Sequence, residues 1–469
     1  MGGQGGNGAL RALLDEAEMS NTGLATAVVA AAAREGKHVG TSTTSVKRML
    51  DGCQPRWPIP RLVAAVLSRR LQREVSVTEC GFADRTPAGE DPYDGLSCSG
   101  TLEGTVRTIV ELSGRDMRRR RFLLGSAFSA AAFSEPALFA LTMPPADSTS
   151  RAAGGRRIGM ADVEVFTEQV THLRTLECRY GSGRVRAQMV QLLHHEANEL
   201  LHGSYSAKTG QALLGAVANG CWLAGYMAWD MGRHSLAQRY YIQGLDLAMT
   251  ADDRLYAAYV LSQMSWMTVQ LGHGAITEHD QRRNARQGVA LARAGLSVAS
   301  GAATPALAAQ LHAMEARSLA LLGDASAARR AVLEAERHYG RFRTGDEPPW
   351  LGFYTEPGFV VDVGCCLRDT GDAVHAAKLI THALDSVEPW KVSGRCAIQT
   401  ALASAHLLGR DLELAAARGR DALRTAAEVS STRALDRLRT LQRQVGPLRS
   451  ASPHLADLDD RITAFVTRT

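Results

Sequence analysis

Apolar residues recur at three- and four-residue spacing over most of the chain, the signature of amphipathic helices. Between Thr43 and Leu50 the pattern is short and clear. Val46, Met49 and Leu50 share one face, while Thr43, Thr44, Lys47 and Arg48 share the other. Gly52 ends the segment, because a residue free to take positive φ closes a helix cheaply. Similar stripes flank it. They predict a helix from Leu10 to Glu18, a second from Thr22 to Arg34 capped by Ser20 with Leu24, Val28 and Ala32 inward, and another from Ile59 to Leu71 with Leu62, Val66 and Leu67 inward. Val75 to Phe82 adds a last short turn. Residues 9–85 therefore read as one small helical domain with its own core.

From Met160 onward the helical pattern returns and the helices come in pairs. Tight turns are marked by Met231-Gly232-Arg233, Leu271-Gly272-His273, Leu322-Gly323-Asp324, Thr370-Gly371-Asp372 and Leu408-Gly409-Arg410. Small residues stand at fixed offsets from these glycines: Gly225, Ser265, Ala316 and Gly364 seven before, Ala237, Ala328 and Ala376 five after. Leu402 breaks the series. This frame resembles the tetratricopeptide repeat, with five units over residues 218–430 at glycine spacings of 40, 51, 48 and 38. If the register follows that repeat, a concave wall carries Asn219, Trp222, Tyr226, Trp229, Tyr259, Ser262 and Trp266, continued by Gln310, Arg317, Arg368, Gln399 and His406. So many aromatics on one wall are covered either by another helix or by a peptide, protein or small-molecule ligand.

Residues 86–159 read as a linker. Stretches rich in Gly, Pro, Ser, Thr and Asp (83–101 and 142–159) bracket a helical segment near 117–141. That segment, RRRRFLLGSAFSAAAFSEPALFAL, is similar to a twin-arginine export signal. Its internal position favours a linker helix instead.

Composition narrows the function. Of 469 residues, 45% are hydrophobic and only 6% aromatic, which favours an all-α protein over a sheet-rich one. The net charge of +5 permits nucleic-acid contact without demanding it. In residues 1–85, 11 Lys and Arg oppose 8 Asp and Glu, with Arg48, Arg56, Arg61, Arg69, Arg70 and Arg73 close together. The eight cysteines form no CxxC pair, which suits a reducing cytoplasm, and no long apolar run calls for a membrane. His195, Glu199 and His202 share a helix face, yet zinc-protease spacing would need His at 199 and no second cluster completes a ligand set. No phosphate-binding loop, nucleophile elbow or dinucleotide fingerprint occurs. The expectation is a non-enzyme without cofactor or metal.

The whole chain resembles a family at this point. Ser45-Val46-Lys47-Arg48, Gly52, Pro55-Arg56 and Pro58-Ile59-Pro60-Arg61, with Leu223-Ala224-Gly225-Tyr226-Met227-Ala228-Trp229-Asp230, Ala237-Gln238-Arg239-Tyr240-Tyr241, Pro348-Pro349-Trp350, Phe353-Tyr354, Ser431 and Arg433, are similar to the actinomycete regulators that join an Xre-like helix-turn-helix to tetratricopeptide-like repeats, the NsdA type among them. Met49 stands where that family usually has Trp, and the stretch holding Gly36, Lys37, His38 and Gly40 is longer than the usual turn.

The resemblance implies an N-terminal helix-turn-helix bundle and a C-terminal tetratricopeptide-like solenoid (160–469). It implies a cytoplasmic regulator of developmental or secondary-metabolism genes that binds double-stranded DNA as a homodimer. Thr43, Thr44, Lys47 and Arg48 would contact DNA, Arg56 and Arg61 would hold phosphates, and Ser20 would cap the supporting helix near the backbone. A tetratricopeptide interaction adaptor and an intracellular receptor for a signalling peptide are the alternatives.

Overall fold

A computed structural model describes residues 6–34, 39–56, 58–71, 75–82, 95–117, 128–143, 149–151, 155–343 and 345–468. The protein is all-α. Among the described residues the only extended pairing is two isolated bridges, Arg151 with Tyr205 and Arg157 with Ser204. The chain divides into two compact units, Met1–Asp91 and Pro92–Thr469.

The first unit contains α1 (Gly8–Glu16), α2 (Asn21–Arg34), α3 (Thr43–Leu50) and α4 (Ile59–Leu71). Leu10, Leu24, Val28, Val46, Leu62 and Leu67 form its core with Val75, Cys80 and Phe82 from the turn after α4. Asn7 ties this unit together. Its side chain accepts from Leu10 N (3.0 Å) and donates to Cys80 O (2.9 Å), while its own N–H takes the free carbonyl of Leu50 (2.8 Å). An otherwise unpaired carbonyl at the end of α3 is thereby satisfied.

The second unit begins with α5 (Leu102–Met117) and α6 (Ser134–Thr142), then α7 (Met160–Tyr180), α8 (Ser182–Leu192) and α9 (Asn198–Leu201). The pairs that follow are α10 (Ala207–Asp230) with α11 (His234–Thr250), α12 (Arg254–Gly274) with α13 (Glu278–Val298), α14 (Pro305–Leu321) with α15 (Ala325–Tyr339), α16 (Glu356–Asp369) with α17 (Ala373–Ser386), and α18 (Val392–Leu408) with α19 (Leu412–Glu428). Last come α20 (Thr432–Val445) and α21 (Pro453–Arg468). Gly232, Gly323 and Gly371 take φ of 71°, 84° and 93°, the turn geometry their positions suggested. Two other turn glycines behave differently. Gly272 stays inside α12, and at the fifth turn Arg410 (φ 61°), not Gly409, takes the left-handed conformation. Small residues allow close packing: a Cβ on Gly225 would sit 2.8 Å from Tyr241 Cδ1.

Successive first helices α12, α14, α16 and α18 contact one another, but the row is not an open groove. α20 packs on α10, α12 and α18, and α7 packs on α10 and α18, so the two ends of the row are bridged across their inner side. Backbone bonds Ser430 N to Tyr180 O (3.0 Å) and Gly183 N to Ser430 O (2.9 Å) fasten the bridge.

The expected linker is in large part not one. Val106, Ile109 and Leu112 of α5 and Phe133, Ala137 and Ala140 near α6 belong to the main core of the second unit. Polar groups buried along α11 hold the segment from the other side. Asp246 accepts from Thr105 Oγ1 (2.6 Å) and Ser99 N (2.8 Å), Gln243 donates to Gly95 O (3.2 Å), and Gln238 donates to Ser129 O (2.6 Å). Asp116 receives Arg186 and Tyr240 Oη. A stretch rich in Gly, Ser and Thr is immobilised because α11 offers it hydrogen bonds that water would otherwise supply. The basic part of the segment near 117–141, residues 118–127, lies outside the described residues, as do 83–94.

Candidate functional site

α3 is defined at both ends by its own sequence. Ser42 and Ser45 form a reciprocal capping box, each hydroxyl accepting the other's backbone N–H at 3.3 Å. At the far end Gly52 (φ 93°) donates to Met49 O (3.1 Å) and Cys53 N to Arg48 O (2.9 Å), a Schellman closure. Val46, Met49 and Leu50 are buried, which turns Thr43, Thr44, Lys47 and Arg48 to solvent together. Thr43 Oγ1 lies 3.2 Å from Thr22 Oγ1, linking the start of α3 to the first turn of α2. Ser20 caps α2 by accepting from Gly23 N (3.1 Å).

Arg56 is exposed just before α4, and Arg61 is half-buried on its first turn. Lys47, Arg48 and Arg56 have no ion-pair partner among the described residues. Arg70, though exposed, donates to Ala17 O (3.2 Å), which ties α4 to the end of α1. Lys37, His38, Arg73 and the Arg69 side chain lie outside the described residues. The result is a short helix closed at both ends, whose outer face carries two hydroxyls and two cations unpaired among the described residues, groups of the kind that can meet phosphates and base edges.

In the second unit the expected single wall is divided. Tyr226, Trp229, Tyr259, Trp266, Arg317 and Arg368 line a cavity of about 630 Å³, whereas Asn219 and Trp222 line another of about 1020 Å³. Arg174 of α7 and Phe353 line both. Arg174 lies over the rings of Trp222 (5.1 Å), Tyr226 (4.4 Å) and Phe353 (5.3 Å) and stands between the two spaces. The fifth pair also presents different side chains: Ala397, Thr400, Ala401 and Ser404 face the first cavity in place of Gln399 and His406.

The aromatics are covered mainly by arginine. Trp229 is 2% exposed and Trp222 4%. Arg433 of α20 lies over Trp229 (4.3 Å), Tyr226 (4.7 Å) and Trp266 (5.4 Å), donates to Tyr226 Oη (2.7 Å) and pairs with Asp230 (3.0 Å). Burial works against its charge, but Tyr226 and Asp230 outweigh it and hold the guanidinium above its ordinary pKa. Asp230 also accepts from Ser431 Oγ (2.7 Å) and Ser182 N (3.3 Å), so one carboxylate gathers the end of α10, the start of α8 and the start of α20. Arg317 pairs with Asp362 (2.7 Å) and Arg368 with Asp369 (2.6 Å). Burial disfavours ionised Asp369, yet Arg368 and His273 prevail and keep it below the usual carboxylate range.

Sequence reasoning did not select Arg174, Asp230 or Arg437 as site residues. Asp230 and Arg433 lie about 200 positions apart, and no local pattern joins them. The histidine cluster is divided too. A π-turn at Leu193–Ala197 breaks the simple helical spacing, His194 bonds Ser113 (3.2 Å), and His202 bonds its own helix at Asn198 O (2.9 Å). A different group, His312, Glu334 and His338, places three ligand atoms within 4.8 Å of one another, with Glu334 already held by Arg337 (2.9 Å).

With these surfaces defined, one family match falls within the first unit. Residues 10–83 match the SP15 N-terminal domain. The match runs from within α1 through α4 and the closing turn. No curated protein matches the chain. No helix among the described residues is long and apolar enough to cross a membrane.

Proposed function

We propose that the protein is a DNA-binding transcription regulator of the Xre-like kind that acts in the cytoplasm as a homodimer. α3 enters the major groove and the second unit serves dimerisation and ligand or partner sensing. The observation that carries this reading is the outer face of α3, where Thr43, Thr44, Lys47 and Arg48 are all exposed and both cations lack a carboxylate partner among the described residues. Such a face suits duplex DNA better than a protein surface, because unpaired cations release bound counterions from phosphates when they dock. On this reading Arg56, before α4, and Arg61, on its first turn, hold the DNA backbone, and Ser20 caps the helix that supports α3. The paired-helix body resembles tetratricopeptide repeats in its small-residue packing, which supports an assembly role.

Fluorescence anisotropy with genomic duplex fragments at several salt concentrations tests the reading. Lys47→Ala/Arg48→Ala is expected to weaken binding by ten- to a hundredfold and to lower the log–log salt slope by about two, with the far-ultraviolet circular dichroism unchanged. Equal affinity and slope for wild type and double variant overturns the assignment of α3, and absence of any DNA binding favours an interaction adaptor.

A further inference from the structure

The 630 Å³ cavity closed by α20 holds more positive than negative charge, and the excess has an address. Four carboxylates line it, and each is engaged: Glu177 by Arg174 (2.7 Å), Asp362 by Arg317 (2.7 Å), Asp369 by Arg368 (2.6 Å) and Asp436 by Arg439 (2.7 Å). Lys391 pairs with Glu388 outside the lining (3.0 Å), and Asp230 is taken by Arg433 and Ser431. Two lining cations are left without a carboxylate among the described residues: Arg443, which donates to Thr440 Oγ1 (3.1 Å), and Arg437. Arg437 lies one helical turn beyond Arg433 on α20, lines the cavity, and has no carboxylate or hydrogen-bond partner among the described residues.

Two like charges four residues apart on one helix repel. Burial and the Arg433 charge together push the Arg437 guanidinium down to about 10, so the protein holds a cation there at a cost. Arg433 adds to the imbalance, since its Nε and Nη1 are buried without a hydrogen-bond partner. Beside this corner the cavity is walled by Tyr226, Trp229, Tyr259 and Trp266, with Trp266 half-buried. The volume falls in the range of small-molecule sites.

We propose that this cavity binds a small organic anion, a flat apolar body ending in a carboxylate or a phosphate, with the anionic group on Arg437 beside Arg433 and the body against the Trp266 and Tyr259 side. A charge-assisted bond satisfies the cation that the fold leaves unpaired, and the aromatic wall removes the apolar body from water. The proposal gives the ligand class for the sensing role above and rests on that reading only for its biological use.

The full chain is titrated with 8-anilinonaphthalene-1-sulfonate, which has this shape and charge, and with neutral N-phenyl-1-naphthylamine, following probe emission and tryptophan quenching. The sulfonate is expected to bind at one saturable site. Arg437→Gln weakens it about tenfold, as loss of a charged hydrogen bond predicts, and leaves the neutral probe within twofold. Arg437→Met, which keeps the side-chain bulk, repeats the result, and both variants melt no lower than wild type because a repulsion is removed. Arg424→Gln, a surface cation paired with Asp421, changes nothing. Displacement by 1-naphthoate or by 1-naphthyl phosphate tells carboxylate from phosphate. The proposal is overturned by no saturable sulfonate site, by unaltered affinity in both Arg437 variants, or by equal loss of the neutral probe. None of these readings involves DNA, so failure here and failure of the α3 assignment are seen separately.

Discussion

The two units use the same side chain for opposite ends. In the first, Lys47, Arg48 and Arg56 stand in solvent, without ion-pair partners among the described residues, over a small apolar core. In the second, Arg174, Arg317 and Arg433 are driven inside, stacked on aromatic rings or paired with carboxylates, and pin helices distant in sequence. An exposed arginine costs the fold little and remains available to a polyanion. A buried one is an architectural commitment, because each partner becomes indispensable once the other is desolvated. Arg437 belongs to neither class: it is lodged in the second unit yet unpaired as in the first.

The largest expected effect tests the commitment. Asp230→Ala strips Arg433 of its carboxylate and removes the acceptor shared by Ser431 and Ser182. Breaking a buried pair from one side costs about 3–5 kcal/mol, measured as a lower urea midpoint. Arg56→Ala, by contrast, is expected within about 0.5 kcal/mol of wild type. Similar losses in the two variants would erase the distinction between the units.

Next is packing. Gly225→Ala places a methyl group 2.8 Å from Tyr241 Cδ1 and 3.1 Å from Ala237 O, where α10 and α11 touch. Overpacking of this kind costs about 1–3 kcal/mol. A thermal midpoint equal to wild type would mean that the helix pair is more yielding than its contacts imply.

Gly225 also shows what was legible in the sequence. Its offset from Gly232, repeated at Ser265, Ala316 and Gly364, announced a close helix pair, and helices with their turns are local enough to be read that way. α3 was legible for the same reason, its caps and apolar stripe lying within a dozen residues. The closure of the second unit was not. Arg433 meets Trp229 across some 200 positions, and the register of a repeat says nothing of a later helix returning to cover its inner face. The docking of α5 was missed because the composition around it suggested freedom, while the groups that hold it, Gln238, Gln243 and Asp246, sit on α11.

Smaller effects separate the units at their helix ends. Ser42→Ala removes half of the α3 capping box and is expected to cost about 1 kcal/mol. Because α3 also carries the proposed contacts, DNA affinity should fall with the stability of the first unit while sulfonate binding in the second stays unchanged. Coupled loss of both would mean that the units do not unfold independently.

The smallest expected change has the opposite sign. Gly215 lies in α10, ten residues before Gly225, and nothing stands within 4 Å of a Cβ built there. Gly215→Ala therefore gains helix propensity without a clash and should stabilise the second unit by about 0.5–1 kcal/mol. Set beside Gly225→Ala, the same substitution in the same helix separates backbone freedom from close approach. If both variants shift the thermal midpoint downward by equal amounts, the glycines of α10 matter for flexibility rather than for the space they leave to Tyr241.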